Sequence, residues 1–205
     1  MSKSLKIAVA GLGTVGLGTI KILAEQGDLL KRRCGSSIEV VAVSARDRDM
    51  DRGISLEGIE FFENAVEMAA KAECEIVVEL IGGSEGVARD TVEAAIDASR
   101  HVVTANKALI ANHGSKLALK AEAAGVTLAF EGAVAGGIPV IKSLREGLAA
   151  NGINSIYGIL NGTCNYILSR MRDEGIEFDV ALKDAQRLGF AEADPSFDID
   201  GIDTA

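Results

Sequence analysis

Short runs of β-branched and other apolar residues alternate along the first two thirds of the chain with longer, Ala-rich segments of helical period. That alternation predicts βαβ units built on a parallel sheet. "LKIAVAG" (5–11), "SIEVVAVSA" (37–45), "EIVVELIGG" (75–83), "HVVTANK" (101–107) and "VTLAFEGA" (126–133) are the expected strands. Between them, 14–26, 64–73, 87–99 and the segment "ALIANHGSKLALKAEAA" read as helices, the first placing Val15, Ile20, Ile22 and Leu23 mainly on one face. Five strands with intervening helices make a doubly wound α/β fold of the Rossmann type. After "EGAVAGGIP" (131–139) the rhythm changes to helix, strand (153–160, "INSIYGIL"), helix, helix. The boundary is therefore expected at 133/134, with a nucleotide-type domain over 1–133 and the first part of an α+β domain over 134–205.

Composition narrows the partners. The 205 residues carry a net charge of -9, with 48% hydrophobic and 25% charged residues, as expected of a globular chain. Cationic residues are scattered rather than gathered into a stripe, which argues against a nucleic-acid surface. No uncharged stretch is long enough to span a bilayer, and strand-like sequence begins almost at residue 1, leaving no room for a leader. A cytoplasmic location is expected. Cys34, Cys74 and Cys164 lie far apart with no CxxC spacing, so reduced thiols are expected rather than a disulfide framework or a zinc site. Cys164 has no histidine near it in sequence and reads as a small packing residue, and His101 and His113 read as structural.

The candidate chemistry collects where strands end. "AVAGLGTVG" holds G-x-G-x-x-G as Gly11, Gly13 and Gly16, directly after a strand and opening a helix. In that setting the first glycine permits the tight turn, the second admits a pyrophosphate against backbone, and the third allows close helix packing. Gly11, Gly13, Thr14, Val15 and Gly16 are thus the cofactor-binding candidates of the turn. The second strand ends at Ser44 without a carboxylate, and Arg46 and Arg48 follow. These arginines favour NADP(H) over NAD(H) by pairing with its 2'-phosphate; the alternatives are solvated loop charges, with Asp47 accepting from an NAD ribose hydroxyl. Gly82 ends the third strand; Thr104 lies in "TANK", which brings Lys107 to the mouth of the same crevice. A lysine there suits proton exchange with an alcohol. "LNGTCNYIL" (160–168) sets Gly162 and Thr163 at a helix start, where N–H groups and a hydroxyl meet a carboxylate.

Taken together, "VAGLGTVG", "VELIGG", "VVTANKALI", "FEGAVAGGIPVI", "ILNGTCNYIL" and "LGFAEADPSFDIDGIDTA" resemble the homoserine dehydrogenase family from end to end of the chain. The resemblance implies hydride transfer between L-homoserine and L-aspartate 4-semialdehyde with NAD(P), in the synthesis of threonine, methionine and isoleucine. It also implies a homodimer or larger assembly. On this resemblance Glu192 and the backbone at Gly162 hold the substrate's amino group, and Thr163 meets its carboxylate. Asp198 and Asp203 line the site, with Asp203 near the reacting hydroxyl and Lys107 exchanging its proton. Asp194 and Asp200 read as turn and capping residues. The family's second proton-transfer lysine falls two residues past Ala205, so the 205-residue chain is expected to bind dinucleotide without turning over homoserine. Phe190 stands where many members carry a tyrosine. The resemblance further implies a monovalent cation such as Na+ on the main-chain carbonyls of Glu131, Val134, Gly136 and Ile138, a loop that reads equally as a plain hinge. Two other classes share the glycine loop: another NAD(P)-dependent amino-acid dehydrogenase, such as an aspartate dehydrogenase, and a non-catalytic dinucleotide-binding module.

Overall fold

A computed structural model of the chain describes residues 4–191 and 193–204. The chain divides into two compact units, Met1–Ala149 and Ala150–Ala205.

In the first unit, six strands form one sheet: β1 (Leu5–Ala10), β2 (Ile38–Ser44), β3 (Glu60–Phe62), β4 (Ile76–Glu79), β5 (His101–Thr104) and β6 (Leu128–Ala129). Their order is β3-β2-β1-β4-β5-β6, and every pairing is parallel. The order reverses between β1 and β4, which makes the carboxyl end of those two strands the switch point of the fold. The connecting helices are α1 (Thr14–Glu25), α2 (Gly27–Cys34), α3 (Ala65–Lys71), α4 (Val87–Asp97) and α5 (Lys107–Ala123).

β1 shows why the apolar runs are continuous. Successive residues point to opposite faces, so Ala8 and Ala10 join Met68, Val92, Ile96, Leu109 and Leu117 of α3 to α5. Ile7 and Val9 instead join Ile20, Val43 and Val78 in a second cluster. A strand buried on both sides has no polar positions to alternate with.

The structure corrects several expectations. On α1 the inward face is Gly16 and Ile20, with Leu17 and Leu23 half-buried, whereas Val15 and Ile22 are exposed. Neither α2 nor the three-residue edge strand β3 was expected. The segment 153–160 forms no ladder: it has no regular secondary structure and is exposed, with Tyr157 at 91% exposure. β propensity makes a strand only where a neighbour accepts its hydrogen bonds, and none does among the described residues. The compact units divide at 149/150, a different division from the expected 133/134 domain boundary, and Glu131 ties the next helix to the first unit. Its carboxylate accepts from the N–H groups of Ile141 (3.1 Å) and Lys142 (2.8 Å), at the start of α6 (Val140–Lys142), which runs on as a π-turn over Ser143–Gly147.

The second unit consists of α7 (Gly162–Glu174), α8 (Phe178–Arg187) and the short α9 (Ser196–Ile199). Ile167 packs against Ala181, Ala185 and Ala191, with Tyr166, Met171 and Phe178 at the margin. Arg170 and Asp184 join α7 to α8 through a 2.6 Å ion pair. Among the described residues of both units, no helix is long and apolar enough to cross a membrane.

Candidate functional site

The β1–α1 turn has the geometry a pyrophosphate requires. Gly11 adopts φ +99°, and a Cβ there would lie 2.6 Å from the carbonyl oxygen of Leu80. A Cβ on Gly16 would lie 1.9 Å from the carbonyl oxygen of Gly11. By contrast, a Cβ on Gly13 would meet nothing within 4 Å. Two glycines therefore let the chain pack on itself, and the third leaves open space at the start of α1, beside Thr14 and the exposed Val15. The α1 N-terminus has no side-chain cap, so its first N–H groups remain available to an anion.

β2 delivers its residues beside this turn, with the Gly11 N–H donating to the Ser44 carbonyl at 2.9 Å. Ser44 is buried, and the chain then emerges into solvent at Arg46 and Arg48. The Arg48 guanidinium lies 5.7 Å from the centroid of Phe61, on β3. Asp47 is engaged in its own loop, its carboxylate accepting from the Asp49 N–H at 2.9 Å.

The ends of β4 and β5 are joined by a residue that sequence reading missed. Glu79 is a fully buried carboxylate. It accepts from the N–H groups of Ile81 (2.7 Å) and Gly82 (3.2 Å) and from the Thr104 hydroxyl (2.6 Å). The Thr104 oxygen in turn accepts from the Asn106 N–H at 2.9 Å. Asn106 caps α5 by accepting from the Leu109 N–H (3.0 Å), and its amide donates to the Gly83 carbonyl (2.7 Å). One network therefore fixes both the Gly82–Gly83 loop, where both glycines have positive φ, and the helix start that carries the exposed Lys107. A lone charged residue in an apolar strand was the available signal. Glu79→Ala orphans three donors at once, at on the order of 3 kcal/mol. Thermal melts should show that loss, with weakened dinucleotide binding, and Glu79→Gln should recover most of the stability. Equal melting of Glu79→Ala and wild type would contradict this account.

In the second unit the structure gathers Gly162, Thr163, Asp198 and Asp203 around the start of α7. Asn161 is its N-cap, accepting from the Cys164 N–H at 2.7 Å. The N–H groups of Gly162 and Thr163 have no intrahelical partner, as at any helix start. The Thr163 hydroxyl donates to the Phe190 carbonyl at 2.6 Å, which leaves its oxygen only as an acceptor. Phe190 meets Tyr166 edge-on at 5.0 Å. Asp194 accepts from the Ser196 N–H (3.2 Å), the local role expected of it. Glu192 lies outside the described residues.

The remaining candidates have ordinary structural roles. Cys164 donates to the Asp198 carbonyl at 3.2 Å, and burial together with the charges of Asp198 and Asp203 pushes its thiol up, the opposite of an activated nucleophile. His101 accepts from the Thr127 N–H through Nδ1 at 3.0 Å, and His113 meets Glu85 at 2.5 Å. Among the described residues no group of three His, Cys, Asp or Glu side chains could hold a metal ion.

Two family models match this chain in series. Residues 11–131 match the NAD-binding domain of homoserine dehydrogenase, and residues 139–205 match the homoserine dehydrogenase family itself. The chain belongs to the homoserine dehydrogenase family. The homoserine dehydrogenase of Pseudomonas aeruginosa is 50% identical over 205 residues, which cover 99% of this chain and 46% of that protein. That of Corynebacterium glutamicum is 46% identical over 200 residues, covering 97% of this chain and 44% of the relative. A crystal structure of a homoserine dehydrogenase from Thiobacillus denitrificans superposes with a TM-score of 0.86 at 50% identity, over 98% of this chain and 46% of the other. A hyperthermophilic archaeal homoserine dehydrogenase in complex with NADPH gives 0.80 at 30% identity, over 98% and 66%. The chain thus spans about half the length of the curated relatives it matches. The six-stranded parallel unit carries the match to the NAD-binding domain of that family.

Proposed function

We propose that the full-length parent interconverts L-homoserine and L-aspartate 4-semialdehyde with NADP(H), in the biosynthesis of aspartate-derived amino acids such as threonine, methionine and isoleucine. The observation that carries the reading is the pair of family models in series, each over a unit whose expected site residues lie at strand or helix ends. The open space at Gly13 and the uncapped start of α1 suit a dinucleotide pyrophosphate. A dinucleotide held at the Gly11–Gly16 turn would supply the hydride acceptor for oxidation of the alcohol carbon of homoserine. Lys107 accepts the hydroxyl proton released as that carbon becomes an aldehyde. The α-carboxylate is held by the Thr163 N–H at the start of α7, since the Thr163 hydroxyl proton goes to the Phe190 carbonyl. The ammonium group is held by Glu192 with help from the Gly162 backbone, while Asp198 lines the site and Asp203 lies near the reacting hydroxyl.

A monovalent cation on the carbonyls of Glu131, Val134, Gly136 and Ile138 fits by donor chemistry. Carbonyl oxygens suit a hard ion, and Ile138, which already accepts from the Val140 N–H at 2.8 Å, keeps a second lone pair. Such an ion would brace the loop and enter no chemical step. A cytoplasmic homodimer completes the proposal.

Product analysis tests the reaction class. Oxidation of homoserine should yield the semialdehyde with no ammonia released, whereas release of ammonia with a 2-oxo acid would indicate the amino-oxidising alternative. Cofactor preference follows from Arg46 and Arg48 and from a β2 end with no carboxylate. Calorimetry should show NADP(H) bound more tightly than NAD(H), by roughly 1.5 to 3 kcal/mol for a charge-assisted pair, and Arg46→Ala should narrow the gap. Equal binding of NAD(H) would sink the preference.

A further inference from the structure

Asp198 and Asp203 lie 37 and 42 residues beyond Asn161, yet one side chain joins them. The Asn161 amide nitrogen donates to Asp198 Oδ1 at 2.8 Å and to Asp203 Oδ2 at 3.0 Å, and its oxygen accepts from the Cys164 N–H at 2.7 Å. Asn161 is 8% exposed. Its orientation is fixed by chemistry. Two carboxylates on one side require the NH2 group, an N–H on the other requires the oxygen, and the flipped amide would set oxygen against both carboxylates.

Two carboxylates held close together repel when both are ionised. A neutral donor spanning them relieves that repulsion without consuming their charge, as a lysine or arginine would. The same residue caps α7, whose free N–H groups attract the opposite charge. Asn161 therefore sets the spacing between an anion-binding helix start and a pair of carboxylates. Homoserine carries its carboxylate and ammonium on one carbon and its reacting hydroxyl two carbons away, so it requires carboxylates held at a fixed, short distance from an anion site.

We propose that Asn161 is a positioning residue for the substrate: it holds Asp198 and Asp203 in register with the start of α7. The proposal rests on the functional reading above. It needs no contact between Asn161 and homoserine.

The test uses the full-length parent and two variants. Asn161→Ser keeps an oxygen able to cap Cys164 but has no second donor to span the carboxylates. Asn161→Asp keeps shape and cap but puts a third carboxylate where the donor was. Both should bind NADPH as wild type does, and both should lose about tenfold or more in kcat/KM for homoserine, because a small misplacement of reacting groups is costly. In Asn161→Asp the acid limb of the pH–rate profile should also move toward neutral pH, as three carboxylates share protons. A purely structural role would lower the active fraction without moving that limb. Wild-type kcat/KM and pH profile in Asn161→Ser would overturn the role of Asn161 alone. A wild-type parent that binds NADPH but leaves homoserine unchanged would overturn the functional reading, and this proposal with it.

Discussion

Gly13→Ala will fold and fail to bind dinucleotide, whereas Gly16→Ala will not hold the fold. The two glycines stand three residues apart in one motif, and the structure gives them opposite roles. At Gly13 φ is -80°, comfortable for any residue, and an added methyl meets no protein atom within 4 Å. What it would meet is the pyrophosphate, because it fills the space through which the phosphates approach the backbone. At Gly16 the added methyl lies 1.9 Å from the Gly11 carbonyl oxygen, and that atom belongs to backbone already wedged against Leu80. Relief requires moving α1 away from β1, at roughly 3 kcal/mol or more. Thermal melts and NADPH fluorescence titrations on the full-length parent separate the effects. Gly13→Ala should melt with wild type and show little NADPH quenching, and Gly16→Ala should melt well below it. Tight NADPH binding by Gly13→Ala would mean that the phosphates lie elsewhere.

Lys107→Ala and Glu192→Ala should fail in different kinetic constants. Lys107 is exposed at the first position of α5, fixed there by the Asn106 cap and the Glu79 network behind it. Removing a proton-transfer group lowers turnover by about 10²- to 10⁴-fold, with NADPH affinity little changed. Glu192→Ala should instead raise KM for homoserine, by roughly 2 to 5 kcal/mol of lost binding, since an ammonium group loses its anionic partner. Steady-state kinetics on the full-length parent decide this. If Lys107→Ala alters only cofactor affinity and Glu192→Ala leaves KM unchanged, the roles are wrongly assigned.

What could be read from the sequence was the local part. The β1 turn with its three glycines was legible because strand, turn and helix start occupy a dozen consecutive residues, and each glycine answers to its immediate neighbours. The Asn106 and Asn161 caps are as local as that turn, but their second roles reach across the chain. Glu79 reaches Thr104 across 25 residues and Asn161 reaches Asp203 across 42, and no spacing rule announces such bonds. Pairing was equally hidden. β3 has only Glu60–Phe62 to declare it and exists because β2 lies beside it, while 153–160 carries the composition of a strand without a neighbour. Val15 and Ile22 show the limit of periodicity: both are apolar, but α1 turns Gly16 and Ile20 to the sheet.

The central claim is that hydride leaves the alcohol carbon of homoserine for the nicotinamide, and isotope transfer measures that step directly. L-Homoserine deuterated at the alcohol carbon, incubated with NADP and the full-length parent, should yield NADPH carrying deuterium at the nicotinamide ring together with deuterated aldehyde. Formation of unlabelled NADPH, or the absence of homoserine-dependent NADPH formation in protein that binds the cofactor, would contradict it.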